Sequence, residues 1–225
     1  ELLTQDNVTR ENIKQETTLE VAVAELLQDE ANRLAIEKGE GPGRLYYTAH
    51  LRTFLPVEDV QALNRGIIVG REYTLASCDP KQLEEGEVCP TVTSAEIGET
   101  VRVKLTLIAP NDLHYIVVED PIPAGTEAVD LNLETTSVVG EAPDIRRTDP
   151  WSWYGWGWWW FSHTELRDEK AVLFATYLPA GTYEYTYLIR PSLAGTYKVL
   201  PSTAYEMYFP EVFGRGDGTL FTVEE

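Results

Sequence analysis

Val101-Arg102-Val103-Lys104-Leu105-Thr106-Leu107 sets a valine or leucine at every second position, with charged or hydroxylic residues between them. Successive side chains of an extended chain point to opposite faces, so this stretch predicts a strand with one apolar face and one wet face. On its C-terminal side, Tyr115-Ile116-Val117-Val118-Glu119 is short and apolar enough to be buried on both faces. The prolines of Asp120-Pro121-Ile122-Pro123-Ala124-Gly125 stop it, because proline cannot donate to a ladder. On its N-terminal side, residues 67–75 form another strand-like run. Further strands are expected at 128–133, 158–166, 170–177, 183–189, 195–200, 204–207 and 219–223. Short strands separated by turn signals at intervals of about ten residues predict an all-β fold, an antiparallel immunoglobulin-like β-sandwich.

The first third of the chain is less regular. Residues 1–17 show little periodicity, whereas Leu19, Val21 and Val23 alternate with polar neighbours and predict a strand over 18–23. Residues 33–38 and 45–54 flank a Gly-Glu-Gly-Pro-Gly turn and read as a hairpin. Pro56 precedes 57–63, the one stretch after residue 32 with the character of a short helix.

The 225 residues carry 18 Lys and Arg against 37 Asp and Glu, a net charge of −19. An acidic surface repels a phosphate backbone and an anionic bilayer, so neither nucleic acid nor a membrane surface is an expected partner. With 43% hydrophobic and 24% charged residues the chain is globular, with room for one domain or two. No apolar run approaches the roughly 18–20 residues of a membrane-spanning helix. The chain opens on Glu1 with no basic-then-apolar leader, and is read as part of a longer protein whose targeting signal, and any membrane anchor, lie elsewhere.

Cys78 and Cys89 bracket an acidic loop that lacks the histidines or second cysteine pair of a zinc site. A disulfide between them is the favoured reading, two reduced thiols the alternative; the disulfide implies an oxidising compartment. The three histidines, His50, His114 and His163, lie in separate strand-like runs without metal-ligand spacing, so no metal or cofactor is expected. His163 and Glu165 share a strand face, but Arg167-Asp168-Glu169-Lys170 reads as a polar hairpin turn, not as acid-base machinery. No catalytic residue is assigned. Arg215-Gly216-Asp217 suits a turn as well as an adhesion motif, and Asn7-Val8-Thr9 is a bare glycosylation acceptor. All six tryptophans fall in 151–160; Trp151, Trp153 and Trp156 lie among Gly, Ser and Tyr and form the candidate partner surface. Packing against a neighbouring domain is preferred there over a stacking platform for sugar.

Several short stretches recur in one order: Gly43-Arg44-Leu45-Tyr46-Tyr47, Arg71-Glu72-Tyr73, Glu119-Asp120-Pro121-Ile122-Pro123-Ala124-Gly125, His163-Thr164-Glu165-Leu166-Arg167-Asp168, Leu178-Pro179-Ala180-Gly181-Thr182-Tyr183, and Glu206-Met207-Tyr208-Phe209-Pro210-Glu211 followed by Phe213-Gly214-Arg215. In this order they resemble the C-terminal region of bacterial alpha-2-macroglobulin-like proteins. The resemblance implies a partial CUB-like sandwich over residues 1–60 and a macroglobulin-like β-sandwich over 61–225. It also implies a non-enzymatic part of a protease trap outside the cytoplasm: extracellular, on the cell surface or in the periplasm. Its partners would be other domains of the parent chain and, through the parent, target proteases. Neither cysteine stands in the Cys-x-Glu-Gln pattern of the family's thioester. The alternative is an independent extracellular module that uses its tryptophans on a glycan or a protein.

Overall fold

A computed structural model describes residues 3–27, 30–44, 46–49, 54–79, 82, 84, 86–129, 144–148 and 163–225, without the side chains of 23 and 144–147. It divides into two compact units, Glu1–Arg52 and Thr53–Glu225. In the first, the described residues form turns and one 3-10 turn, Val23–Glu25. The strands expected at 18–23 and 33–38 are not formed among them. A strand with one apolar face needs a layer to cover that face, and here Leu19, Leu34 and Ile36 are exposed. The hairpin strand at 45–54 falls partly outside the described residues.

The second unit is built from strands β1 (Leu63–Arg65), β2 (Ile68–Leu75), β3 (Ser94–Glu96), β4 (Val101–Ala109), β5 (Leu113–Pro121), β6 (Thr126–Ala128), β7 (Asp144–Arg147), β8 (His163–Leu166), β9 (Lys170–Leu178), β10 (Gly181–Pro191), β11 (Gly195–Val199), β12 (Thr203–Glu206), β13 (Phe213–Arg215) and β14 (Thr219–Glu224). The deciding alternation is now β4, where every odd-numbered side chain from Val101 to Ala109 is buried and Arg102, Lys104 and Thr106 are half-exposed. On its wet face Lys104 Nζ pairs with Glu72 of β2 at 2.8 Å. In β5, Ile116, Val117 and Val118 are all buried, as a strand covered on both faces requires.

Three sheets result, ordered β1-β13-β12-β5-β9-β8, then β2-β4-β10-β6 with β7 also on β10, and β11-β14-β3. All pairs of named strands are antiparallel except β14 with β3. One core is shared by the three: Val103 and Leu105 from β4, Ile116 and Val118 from β5, Leu173 from β9, Tyr183 and Tyr187 from β10, and Phe221 from β14. Burying each such side chain contributes about 1.5–3 kcal/mol.

Two expectations change in this unit. The helix expected over 57–63 shrinks to a 3-10 turn, Val57–Asp59, because the chain after it is drawn onto the β13–β14 connection. There Ala62 N donates to Asp217 Oδ1 at 2.8 Å and Gly218 N donates to Val60 O. Val57 is buried under Gly218, so residues expected before the boundary at 60 pack with the second unit. The strand expected at 128–133 begins earlier, as β6, and its remainder from 130 lies outside the described residues, as does 158–162 of the strand that ends in β8.

Candidate functional site

Arg71 of β2 and Asp120 of β5 meet inside the core, Nη1 to Oδ1 at 2.8 Å, with side chains only 4% and 0% exposed. Two charges removed from water are tolerated only when their remaining hydrogen-bonding capacity is used. It is largely used here: Tyr187 Oη of β10 donates to Asp120 Oδ2 at 2.6 Å, and Ser202 Oγ donates to Oδ1 at 2.6 Å. Arg71 Nη1 also donates to Pro121 O, and Nη2 donates to Leu200 O and Thr219 Oγ1. The guanidinium lies 5.4 Å from the centroid of the Tyr73 ring. Strands of all three sheets therefore converge on one carboxylate–guanidinium pair.

The electrostatics follow from this enclosure. Burial alone would lower the Arg71 pKa, but the Asp120 charge, with Tyr73 and Tyr187, outweighs it and the pKa rises. Burial, then the Asp120 charge, pushes the Tyr187 phenol well above its ordinary value, and burial raises Tyr73. The same two causes push Tyr185 up to about 12. With side chains only 4% and 0% exposed, the pair is shielded from solvent. It clamps the sheets together.

The residues singled out in the sequence fare differently. Cys78 and Cys89 are bonded, their Cα atoms 5.8 Å apart across a sequence separation of 11. Arg102 Nη1 donates to Cys78 O at 2.9 Å and ties the loop to β4. Trp151, Trp153 and Trp156 lie outside the described residues, as does His50. His163 Nε2 is 2.9 Å from Glu165 Oε1, but Glu165 is also held by Arg167. Hydrogen bonds from Arg167, then from His163, keep the Glu165 carboxyl below its ordinary pKa, so it is a poor proton acceptor on an open edge. The Arg-Gly-Asp run is spent internally, Arg215 Nη2 donating to Gln61 O and Asp217 accepting from Ala62 N. Among the described residues there is no group of three metal-ligating side chains, and no helix long and apolar enough to cross a membrane.

One surface was not anticipated. Tyr115 has φ +52°, a left-handed conformation costly for an aromatic residue, and it breaks the alternation so that both His114 and Tyr115 face outward between buried Leu113 and Ile116. Met207 N donates to Tyr115 O at 3.0 Å, and the Tyr115 and Tyr208 rings meet edge-on, centroids 5.1 Å apart. His114 packs on Tyr177 at 5.1 Å. Behind them, buried Glu206 accepts from His114 N at 2.7 Å. Tyr208 is 68% and Phe209 57% exposed, and Met207 lies beside them. The sequence signal was there: Met207-Tyr208-Phe209-Pro210 is an apolar run in a turn, and exposed apolar clusters mark contact surfaces.

Residues 66–211 match a family described as the bacterial alpha-2-macroglobulin MG10 domain. The chain is 28% identical over 129 residues to an alpha-2-macroglobulin homolog of Nostoc sp., a match covering 57% of this chain and 6% of that protein. Over 209 residues, 93% of this chain and 5% of the other, it is 26% identical to a Dictyostelium discoideum protein named circularly permutated Ras protein 2. Its fold is similar to that of trypsin-activated alpha-2-macroglobulin from Escherichia coli, with a TM-score of 0.55 and 22% identity over 73% of this chain and 11% of that one. The chain thus spans 5–6% of the length of these two curated relatives.

Proposed function

This chain belongs to the bacterial alpha-2-macroglobulin family, and from that membership we propose that it is a C-terminal, non-catalytic part of a protease trap. It serves as scaffold and conformational element against the thioester domain and neighbouring domains of its parent chain, and meets target proteases only through that parent. The observation that carries this reading is the exposed aromatic end formed by Tyr115, Met207, Tyr208 and Phe209 on an otherwise well-packed sandwich. Rigid aromatics around a methionine bury much apolar area at little entropic cost, which suits a docking surface. The first unit supports the same reading: among its described residues Leu19, Leu34 and Ile36 are exposed, as expected of a segment that becomes a layer only when another part of a CUB-like domain covers it. The Cys78–Cys89 bond favours an oxidising compartment, extracellular or periplasmic.

The test is the pair Met207→Ser and Tyr208→Ser. In this chain alone, Met207→Ser should alter stability by no more than about 0.5 kcal/mol, and Tyr208→Ser, which gives up the edge-on contact with Tyr115, by about 0.5–1.5 kcal/mol. In the parent protein they should impair protease capture. Full capture by the doubly substituted parent would remove this surface from the account.

A further inference from the structure

On the outer face of the six-stranded sheet, register aligns one residue from each strand into a transverse row: Arg65, Phe213, Tyr205, Val117, Phe174 and His163. At the β1 end of this row the sheet has an open groove lined by Thr203, Tyr205, Pro210 and Phe213. Arg65 is exposed, its guanidinium 6.0 Å from the centroid of the Phe213 ring. Arg215 stands in the next row on the same face, paired in register with Leu63 and Thr203. The carboxylates of these two rows, Glu119 and Glu165, are both ion-paired, to Lys170 and to Arg167. Arg65 makes no ion pair with a carboxylate among the described residues, whereas Arg215 is turned inward, its Nε buried and its Nη2 donating to Gln61 O. In a chain of net charge −19, the groove therefore has, among the described residues, a cation without a carboxylate partner beside flat apolar rings.

We propose that this groove binds a carboxylated oligosaccharide, a sugar ring lying on Phe213 and Tyr205 while its carboxylate meets Arg65. Charge and shape select this ligand class together. A nucleic acid or anionic bilayer presents dense negative charge that the rest of this acidic surface repels. An extended acidic peptide is best held at a sheet edge, where the backbone offers hydrogen bonds, and the groove lies on the face, where it does not. A sugar acid needs one cation per carboxylate and a ring to stack on, and both are present. The groove adjoins the aromatic end through Pro210, but Arg65, Tyr205 and Phe213 are not part of that end and the proposal does not depend on the protease-trap reading.

The probe is trigalacturonate, titrated into the isotope-labelled chain and followed by backbone NMR. Saturable shifts should cluster at 63–66, 203–205 and 213–215, and should shrink as salt rises, since exposed charges are screened. Arg65→Gln, an exposed change that leaves the fold intact, should weaken binding about fivefold, the upper range for one exposed charge pair. Tyr205→Leu should weaken it further and, in the same spectra, keep the native dispersion. Maltotriose, of similar size and uncharged, should bind more weakly than trigalacturonate. Absence of saturation, equal binding of maltotriose, equal binding of a hexaglutamate peptide, or an Arg65→Gln affinity equal to that of the unsubstituted chain would each overturn the proposal.

Discussion

Asp120 accepts from Arg71, Tyr187 and Ser202, three side chains drawn from widely separated parts of the chain. Asp120→Ala would leave the Arg71 guanidinium buried without a counter-charge, which costs about 3–5 kcal/mol. Urea unfolding should register that loss, and Arg71→Met combined with Asp120→Leu should recover part of it, because an apolar pair needs no compensation. The buried phenols add a pH dependence whose sign is fixed. A tyrosine with a raised folded-state pKa holds its proton more tightly folded than unfolded, so its contribution is intact below the unfolded value of about 10. It is lost as pH climbs through the folded value, about 12 for Tyr185, and Tyr187 is likewise raised well above its ordinary value. Unfolding measured between pH 8 and 11 should therefore show flat stability to about pH 10 and a decline beyond it, and a decline beginning near pH 8 would contradict the burial of these phenols.

At the scale of the elements, β13 crosses close over Ile67, the residue that leads into β2. A Cβ at Gly214 would lie 2.3 Å from Ile67 O, a backbone atom that cannot swing aside. Gly214→Ala should push β13 outward and cost about 1–3 kcal/mol, seen as a lowered melting temperature; an unchanged one would mean β13 and Ile67 are not in contact. The long strands were legible because their alternation is local. Val101 to Leu107 announces which face is wet without reference to any partner. The three-residue strands β1, β3 and β13 carry no such period, since three residues cannot repeat a pattern of two, and they exist only because longer neighbours offer a ladder. The Arg71–Asp120 pair was equally hidden: both residues stand in quoted stretches, but a separation of 49 residues says nothing of contact. Tyr115 is the converse case. Its sequence reads as ordinary strand, and the left-handed turn that exposes it comes from the tertiary contact with Met207.

The whole molecule divides where its sequence changes character, into a first unit in which no strand forms among the described residues and a second in which apolar alternation is covered on three sheets. The sandwich accounts for its own stability through its core. Among the large side chains it leaves exposed, Tyr115, Met207, Tyr208 and Phe209 lie together, and these are the ones we propose to dock on the rest of a parent chain. Hydrogen exchange tests that most directly, comparing amides at 113–116 and 206–212 in this chain alone with the same amides in the parent protein. A surface packed on a neighbouring domain should exchange at least about tenfold more slowly in the parent, because opening it requires undocking. Identical exchange in the two proteins would mean the aromatic end faces solvent in the parent as well, and would contradict the assignment of this domain as an element that works by contact within a protease trap.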